Sequence, residues 1–75
     1  IKNIKVNLPE GEIAEIIELV QNNYEEVTIG SYPFFRPPNI GSNIVLRSLD
    51  ETTIMTATNE LIEKLKKNKI PYAFD

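Results

Sequence analysis

Two stretches of helical spacing, set among segments that alternate every second residue, constrain most strongly what this chain can fold into. In the first stretch, apolar residues recur at intervals of three and four, the spacing of one face of an α-helix. They are Ile13, Ile16, Ile17, Val20 and Tyr24. The spacing returns at Ile54, Ala57, Leu61 and Leu65, shortly after Asp50, a residue type favoured at a helix N-cap. The sequence therefore predicts helices over residues 10–23 and 51–67.

Four shorter segments alternate between apolar and polar residues, which is typical of half-buried β-strands. They cover residues 4–8, 26–29, 42–49 and 70–74. The predicted order is β-α-β-β-α-β, the α+β arrangement of ferredoxin-like domains. Right-handed crossovers then place two helices on one face of a four-stranded antiparallel sheet and leave the other face open.

The open face of this predicted sheet carries two kinds of residue. Lys5, Asn7 and Arg47 suit contact with water, whereas Val45, Leu49 and Ala73 suit contact with a partner. The sequence leaves both interpretations open.

The segment between the two middle strands is unusual. Residues 30–41 contain three of the five prolines, so a regular helix cannot pass through them. We expect an extended, partly packed loop, because aromatic residues make it too apolar for a linker. Aromatic residues and arginine are the types that concentrate in binding hot spots. The predicted interface or ligand contact consists of Ser31, Tyr32, Pro33, Phe34, Phe35 and Arg36. The alternative is that the aromatic rings only close the open end of the core.

The composition disfavours a catalytic centre. The 75 residues include no cysteine and no histidine, which removes disulfides, thiolate zinc sites, cysteine nucleophiles and the usual general base. Four glutamates on the first helix are the remaining candidates for acid–base or Mg²⁺ chemistry, but the usual exposure of glutamate favours a solvated helix face instead. They are Glu10, Glu12, Glu15 and Glu18. We therefore expect no catalytic residue, no metal and no cofactor in this chain.

Charge and hydropathy bear on partners and location. The net charge is −3, and the strand at 42–49 has no aromatic residue for base stacking, so we expect no nucleic acid. Lys64, Lys66 and Lys67 fit a helix C-terminus, where the helix dipole favours positive charge. No apolar run is long enough to cross a membrane, and the lack of cysteine suits a reducing compartment, so we expect a cytoplasmic domain. Because the chain starts with Ile1 in a strand-like pattern, residues 1–75 are expected to be one accessory domain cut from a longer protein.

Several motifs together resemble a known domain. They are the Leu8-Pro-Glu-Gly turn, the isoleucine-rich helix, the run from Val27 to Pro33 (Val-Thr-Ile-Gly-Ser-Tyr-Pro), and Leu46-Arg-Ser-Leu-Asp50 before a helix. Nearly the whole chain resembles the small α/β domain that follows the molybdopterin-binding-like (MoaB/Mog-type) domain in CinA-related proteins and in eukaryotic FAD synthases. This chain departs from many relatives by inserting residues 34–39 after the Tyr-Pro pair.

The resemblance implies a non-catalytic accessory domain of a nucleotide-processing protein. In such proteins the preceding domain carries the chemistry, a metal-dependent pyrophosphatase action on FAD or ADP-ribose in several members. The implied partner is that molybdopterin-binding-like domain, together with a second copy if the protein forms a homo-oligomer. One alternative is a regulatory module that binds a small molecule and dimerises through its sheet. The other is an independent enzyme, which the missing histidine and cysteine disfavour.

Overall fold

The computed structural model describes residues 1–74. The elements follow the chain as β1 (Lys2–Val6), α1 (Glu10–Asn23), β2 (Thr28–Arg36), β3 (Asn39–Arg47), α2 (Glu51–Lys67) and β4 (Tyr72–Phe74). The four strands form one sheet in the order β2-β3-β1-β4, and every neighbouring pair is antiparallel. The predicted ferredoxin-like α+β fold is confirmed.

Both helices occupy the predicted residues, and their apolar faces meet one side of the sheet in a single core. Asp50 caps α2 as expected, because its carboxylate accepts hydrogen bonds from the backbone N–H groups of Thr52 and Thr53. The buried apolar side chains are Ile4, Val6, Ile13, Val20, Val27, Ile44, Leu46, Ile54, Ala57, Leu61 and Leu65. Neither helix in the described part of the chain is long and apolar enough to cross a membrane.

The sheet has one covered face and one open face. Along β1, Ile4 and Val6 are buried against the helices, whereas Lys5 between them is exposed. Along β3, Ile44 is fully buried and Val45 is only half-buried. This period of two follows from the alternating direction of side chains in a strand. The open face predicted from the sequence is therefore present.

The segment 30–41 is not the loop that the sequence predicted. β2 and β3 are each nine residues long and pair continuously from Thr28–Arg47 to Arg36–Asn39, with Pro37 and Pro38 as the turn. The peptide bond between these two prolines is cis. Pro33 fits within β2 because β2 is an edge strand, where a residue without an N–H group costs fewer ladder hydrogen bonds. Residues 34–39 thus form the far end of a hairpin.

The connection between α1 and β2 is organised by Gln21. Its amide nitrogen donates to the carbonyl oxygens of Tyr24 and Val27, and its Oε1 accepts from the N–H of Ile29 at 2.9 Å. These hydrogen bonds from one side chain hold the backbone that connects α1 to the edge strand β2, and they thereby help to set the direction of the hairpin.

Candidate functional site

The hairpin divides the six predicted contact residues between two surfaces. Ser31, Pro33 and Phe35 pair in register with Ile44, Ser42 and Ile40, and so lie on the face that carries the helices. The residues between them, Tyr32, Phe34 and Arg36, pair with Asn43, Gly41 and Asn39 and lie on the open face. The structure therefore places all six residues in one hairpin without gathering them into one surface.

On the helix side, the hairpin extends beyond the core. Near its base, the Ser31 hydroxyl donates to Oε1 of Glu10 at 2.8 Å, which ties β2 to the start of α1. Near its tip, Phe35 and Ile40 lie directly opposite each other and are 70% and 49% exposed. These two side chains, which we call the apolar tip, form a small hydrophobic surface open to solvent.

On the open side, aromatic rings cover the two glycines of the hairpin. The Tyr32 ring lies over Gly30, and the Phe34 ring lies over Gly41. A side chain on Gly41 would also run into the carbonyl oxygen of Val6, so β1 and β3 approach closely here. The ammonium group of Lys5 is held 5.2 Å from the centroid of the Phe34 ring, a cation–π distance.

Beside these rings lies a concave pocket of about 430 Å³, which we call the open-face pocket. It is lined by Lys5, Asn7, Phe34, Arg36, Asn39 and Asn43. Of these six residues, two are cationic, three carry a carboxamide group and one carries a phenyl ring, and none of the six is acidic. Oδ1 of Asn43 is buried and has no hydrogen-bond partner among residues 1–74. Leaving such an acceptor unpaired costs about 1–3 kcal/mol.

Two side chains outside the pocket, Tyr24 and Asp50, have displaced pKa values. The pKa of Tyr24 is raised, first by desolvation and then by the Glu60 carboxylate, which accepts a hydrogen bond from its hydroxyl at 3.3 Å. The pKa of Asp50 is lowered, first by the hydrogen bond from the Thr53 hydroxyl and then by the backbone N–H groups that it caps. Across residues 1–74 there is no group of three or more acidic side chains that could hold a metal ion.

Sequence reasoning missed four members of the open-face pocket as site residues. Lys5 and Asn7 were identified only as polar positions on the open face, and Asn39 and Asn43 carried no signal. All four line one pocket with Arg36. The hairpin pairs Arg36 with Asn39, and β1 pairs Lys5 with Asn43 further along the same strand. The signal that could have found them was the strand alternation continued through residues 34–40, which the prolines obscured.

The fold and hairpin define a small α+β domain that presents two separate surfaces, an apolar tip and a polar pocket. The family model described as "FAD synthase, middle domain" matches residues 1–73. The chain therefore belongs to the FAD synthase middle domain family, and the resemblance to the small domain of FAD synthases is confirmed. No curated protein and no solved structure matched the chain.

Proposed function

We propose that this chain is a non-catalytic accessory domain of an FAD synthase-like protein and that it packs against a preceding molybdopterin-binding-like domain. A domain described as the middle one has chain on both sides in that family, which supports a neighbour of this kind. In this proposal the metal-dependent chemistry on FAD or ADP-ribose belongs to the preceding domain. We also propose that the parent protein is CinA-related, since the motifs of this chain resemble the small domain of CinA-related proteins.

The observation that carries the proposal is the apolar tip. Phe35 and Ile40 are paired across the two strands and stand largely in water. Full burial of a side chain of this size contributes about 1.5–3 kcal/mol, so an exposed pair forgoes a substantial stabilisation that a neighbouring domain supplies. Aromatic anchors of this kind are typical of interface hot spots. Tyr32 and Arg36, the contacts predicted from the sequence, lie on the opposite face of the hairpin, so the proposed interface rests on Phe35 and Ile40.

A second exposed apolar surface provides a matched control. It consists of Ile1, Leu49 and Met55, which are 73%, 108% and 58% exposed. This surface lies near the pair Lys2–Leu46, seven residues along β3 from the pair Arg36–Asn39 at the tip. At about 3.4 Å per residue the separation is roughly 24 Å. Because the two surfaces lie at opposite ends of the sheet, an experiment can distinguish them.

The test compares hydrogen exchange of the hairpin amides in the full-length protein and in the 75-residue chain. We expect residues 34–40 to exchange more slowly in the full-length protein, where the tip is covered. Phe35→Ser should remove that difference, whereas Met55→Ser should leave it unchanged. Equal exchange of the hairpin in both proteins, with new protection around Met55 instead, would overturn the proposed interface.

The alternative function is a regulatory module that dimerises through its sheet. The half-buried Val45 and the open-face pocket favour it, because they lie on the same uncovered face. Sedimentation equilibrium of the 75-residue chain tests it. A dimer that Val45→Lys dissociates, and that Phe35→Ser leaves intact, would favour this alternative.

A further inference from the structure

The open-face pocket has a charge opposite to that of the chain. The sequence has eight basic and eleven acidic residues, yet the described lining of this pocket includes Lys5 and Arg36 and no carboxylate. Arginine is suited to phosphate because its planar guanidinium donates two parallel hydrogen bonds. Two cations on one small concave surface therefore favour an anionic ligand, and are too few for the multiple phosphate contacts of a nucleic-acid surface.

The position of Lys5 excludes the recognition of a nucleobase by stacking on the Phe34 ring. Its ammonium lies over the Phe34 ring, 5.2 Å from the centroid, so that ring face is occupied by a cation. The contact holds the charge at the pocket wall before any ligand arrives, which reduces the entropy lost on binding. The ring face is then not a platform for a stacked base, and recognition depends on the polar side chains.

The three asparagine side chains in the pocket indicate which other chemical groups an anionic ligand carries. Asn7, Asn39 and Asn43 each offer both donors and an acceptor, which suits hydroxyl groups, since these also donate and accept. The volume of about 430 Å³ lies within the range of small-molecule sites and corresponds to roughly fourteen water molecules, far more than one phosphate ion fills.

We propose that the open-face pocket binds a phosphorylated sugar, either free or as the sugar-phosphate part of a nucleotide. The phosphate lies between Lys5 and Arg36, and the sugar hydroxyls bond to the amide groups of the asparagines that line the pocket. This site lies on the face opposite to Phe35 and does not depend on domain packing at the apolar tip.

The experiment is a titration of the isotope-labelled 75-residue chain followed by the backbone amide signals. The ligands are ribose 5-phosphate, AMP, ribose and inorganic phosphate. We expect ribose 5-phosphate to shift the amides of Lys5, Asn39 and Asn43 saturably, and ribose or inorganic phosphate to bind at least tenfold more weakly. Tighter binding of AMP than of ribose 5-phosphate would identify a nucleotide, and equal or weaker binding of AMP would identify a free sugar phosphate.

Variants separate this site from general attraction of anions. Lys5→Gln and Arg36→Gln should each weaken binding at least fivefold, and Asn43→Asp should abolish it by adding a negative charge of nearly the same shape. Arg47→Gln is the matched control, since Arg47 is an exposed arginine of β3 that does not line the pocket.

Equal losses in Arg47→Gln and Arg36→Gln, or binding of inorganic phosphate as tight as that of the phosphorylated sugars, would overturn the proposal. An absence of saturable shifts with all four ligands would overturn it as well. Phe35→Ser should leave the titration unchanged, so failure here and failure of the proposed domain interface are distinguishable.

Discussion

At the scale of single residues, Gly41 is the position where the hairpin depends most on one side chain being absent. An added Cβ would meet the carbonyl oxygen of Val6 and would lie 3.0 Å from Cα of Asn7 and 2.7 Å from the Phe34 ring. Two of these three neighbours are backbone atoms, the carbonyl oxygen of Val6 at the end of β1 and Cα of Asn7 directly after it. Backbone atoms cannot move aside as a flexible side chain can. The close approach of β1 to the hairpin therefore requires glycine.

We predict opposite effects of alanine at two glycines. Gly41→Ala should lower the free energy of unfolding by about 1–3 kcal/mol, the usual cost of overpacking. Gly11→Ala should raise it by about 0.5–1 kcal/mol, because Gly11 lies in α1 with nothing within 4 Å of an added Cβ. Urea denaturation of both variants measures the difference. Unchanged stability of Gly41→Ala would show that the two strands can separate at no cost.

A second prediction at this scale concerns Gln21. Gln21→Met keeps the length of the side chain but removes its hydrogen bonds to Tyr24, Val27 and Ile29. The free energy of unfolding should fall by about 1–3 kcal/mol, the cost of leaving partly buried backbone groups unpaired. The exposed neighbour Asn22 is the control, and Asn22→Ala should have little effect. Similar stabilities of the two variants would contradict the role given to Gln21.

At the scale of elements, α2 depends on its N-cap in a way that pH can reveal. Hydrogen bonds from Thr53 and Thr52 favour the ionised carboxylate of Asp50 and hold its pKa below the ordinary value of 3.8. A carboxylate with a lowered pKa in the folded state contributes a stability that is fully present above 3.8. That contribution is lost as the pH falls through the lower pKa of the folded state.

We therefore predict that the stability advantage of the native chain over Asp50→Asn shrinks as the pH is lowered below 3.8. Asparagine keeps a capping oxygen but does not titrate, so the comparison isolates the charge of the cap. Thermal unfolding followed by circular dichroism at several pH values between about 2 and 6 gives the measurement. A constant difference between the two proteins at every pH would refute the prediction.

Also at this scale, the helices and the hairpin differ in how far the sequence predicts them. The bounds of α1 and α2 match the prediction because helix signals are local: apolar spacing, the Asp50 cap and the terminal lysines lie within the same stretch. The strand at 26–29 was predicted too short, and residues 30–41 were interpreted as a loop. The pairing of β2 with β3 joins residues as far as nineteen positions apart, as in the pair Thr28 and Arg47. The local sequence pattern therefore does not predict it.

At the scale of the whole molecule, the proposed accessory role predicts that the chain has no activity of its own. The 75-residue chain should hydrolyse neither FAD nor ADP-ribose in the presence of Mg²⁺, Mn²⁺ or Co²⁺. Activating water for this chemistry usually takes convergent metal ligands, and residues 1–74 contain no such group of three. Chromatography of the reaction products provides the measurement, with the full-length protein as the positive control. Metal-dependent turnover by highly purified chain, lost when one of its glutamates is replaced, would refute the prediction.

The sequence by itself determined the order of elements, the two helices, the cap at Asp50 and the existence of an open sheet face. It also identified the hairpin segment as the place where unusual residues concentrate. These properties follow from periodicity and capping, which depend on residues close together in the chain.

Only the tertiary structure decided which of those residues meet. Side chains alternate between the two faces along a strand. The register of β2 against β3 therefore places Phe35 on the helix side of the sheet, and it places Tyr32, Phe34 and Arg36 on the open side. The pairing of β1 with β3 then placed Lys5 and Asn43 in the same pocket as Arg36, although Lys5 and Arg36 are 31 positions apart in the chain. A pocket of this kind is invisible to local pattern, since it exists only once a nonlocal register is set.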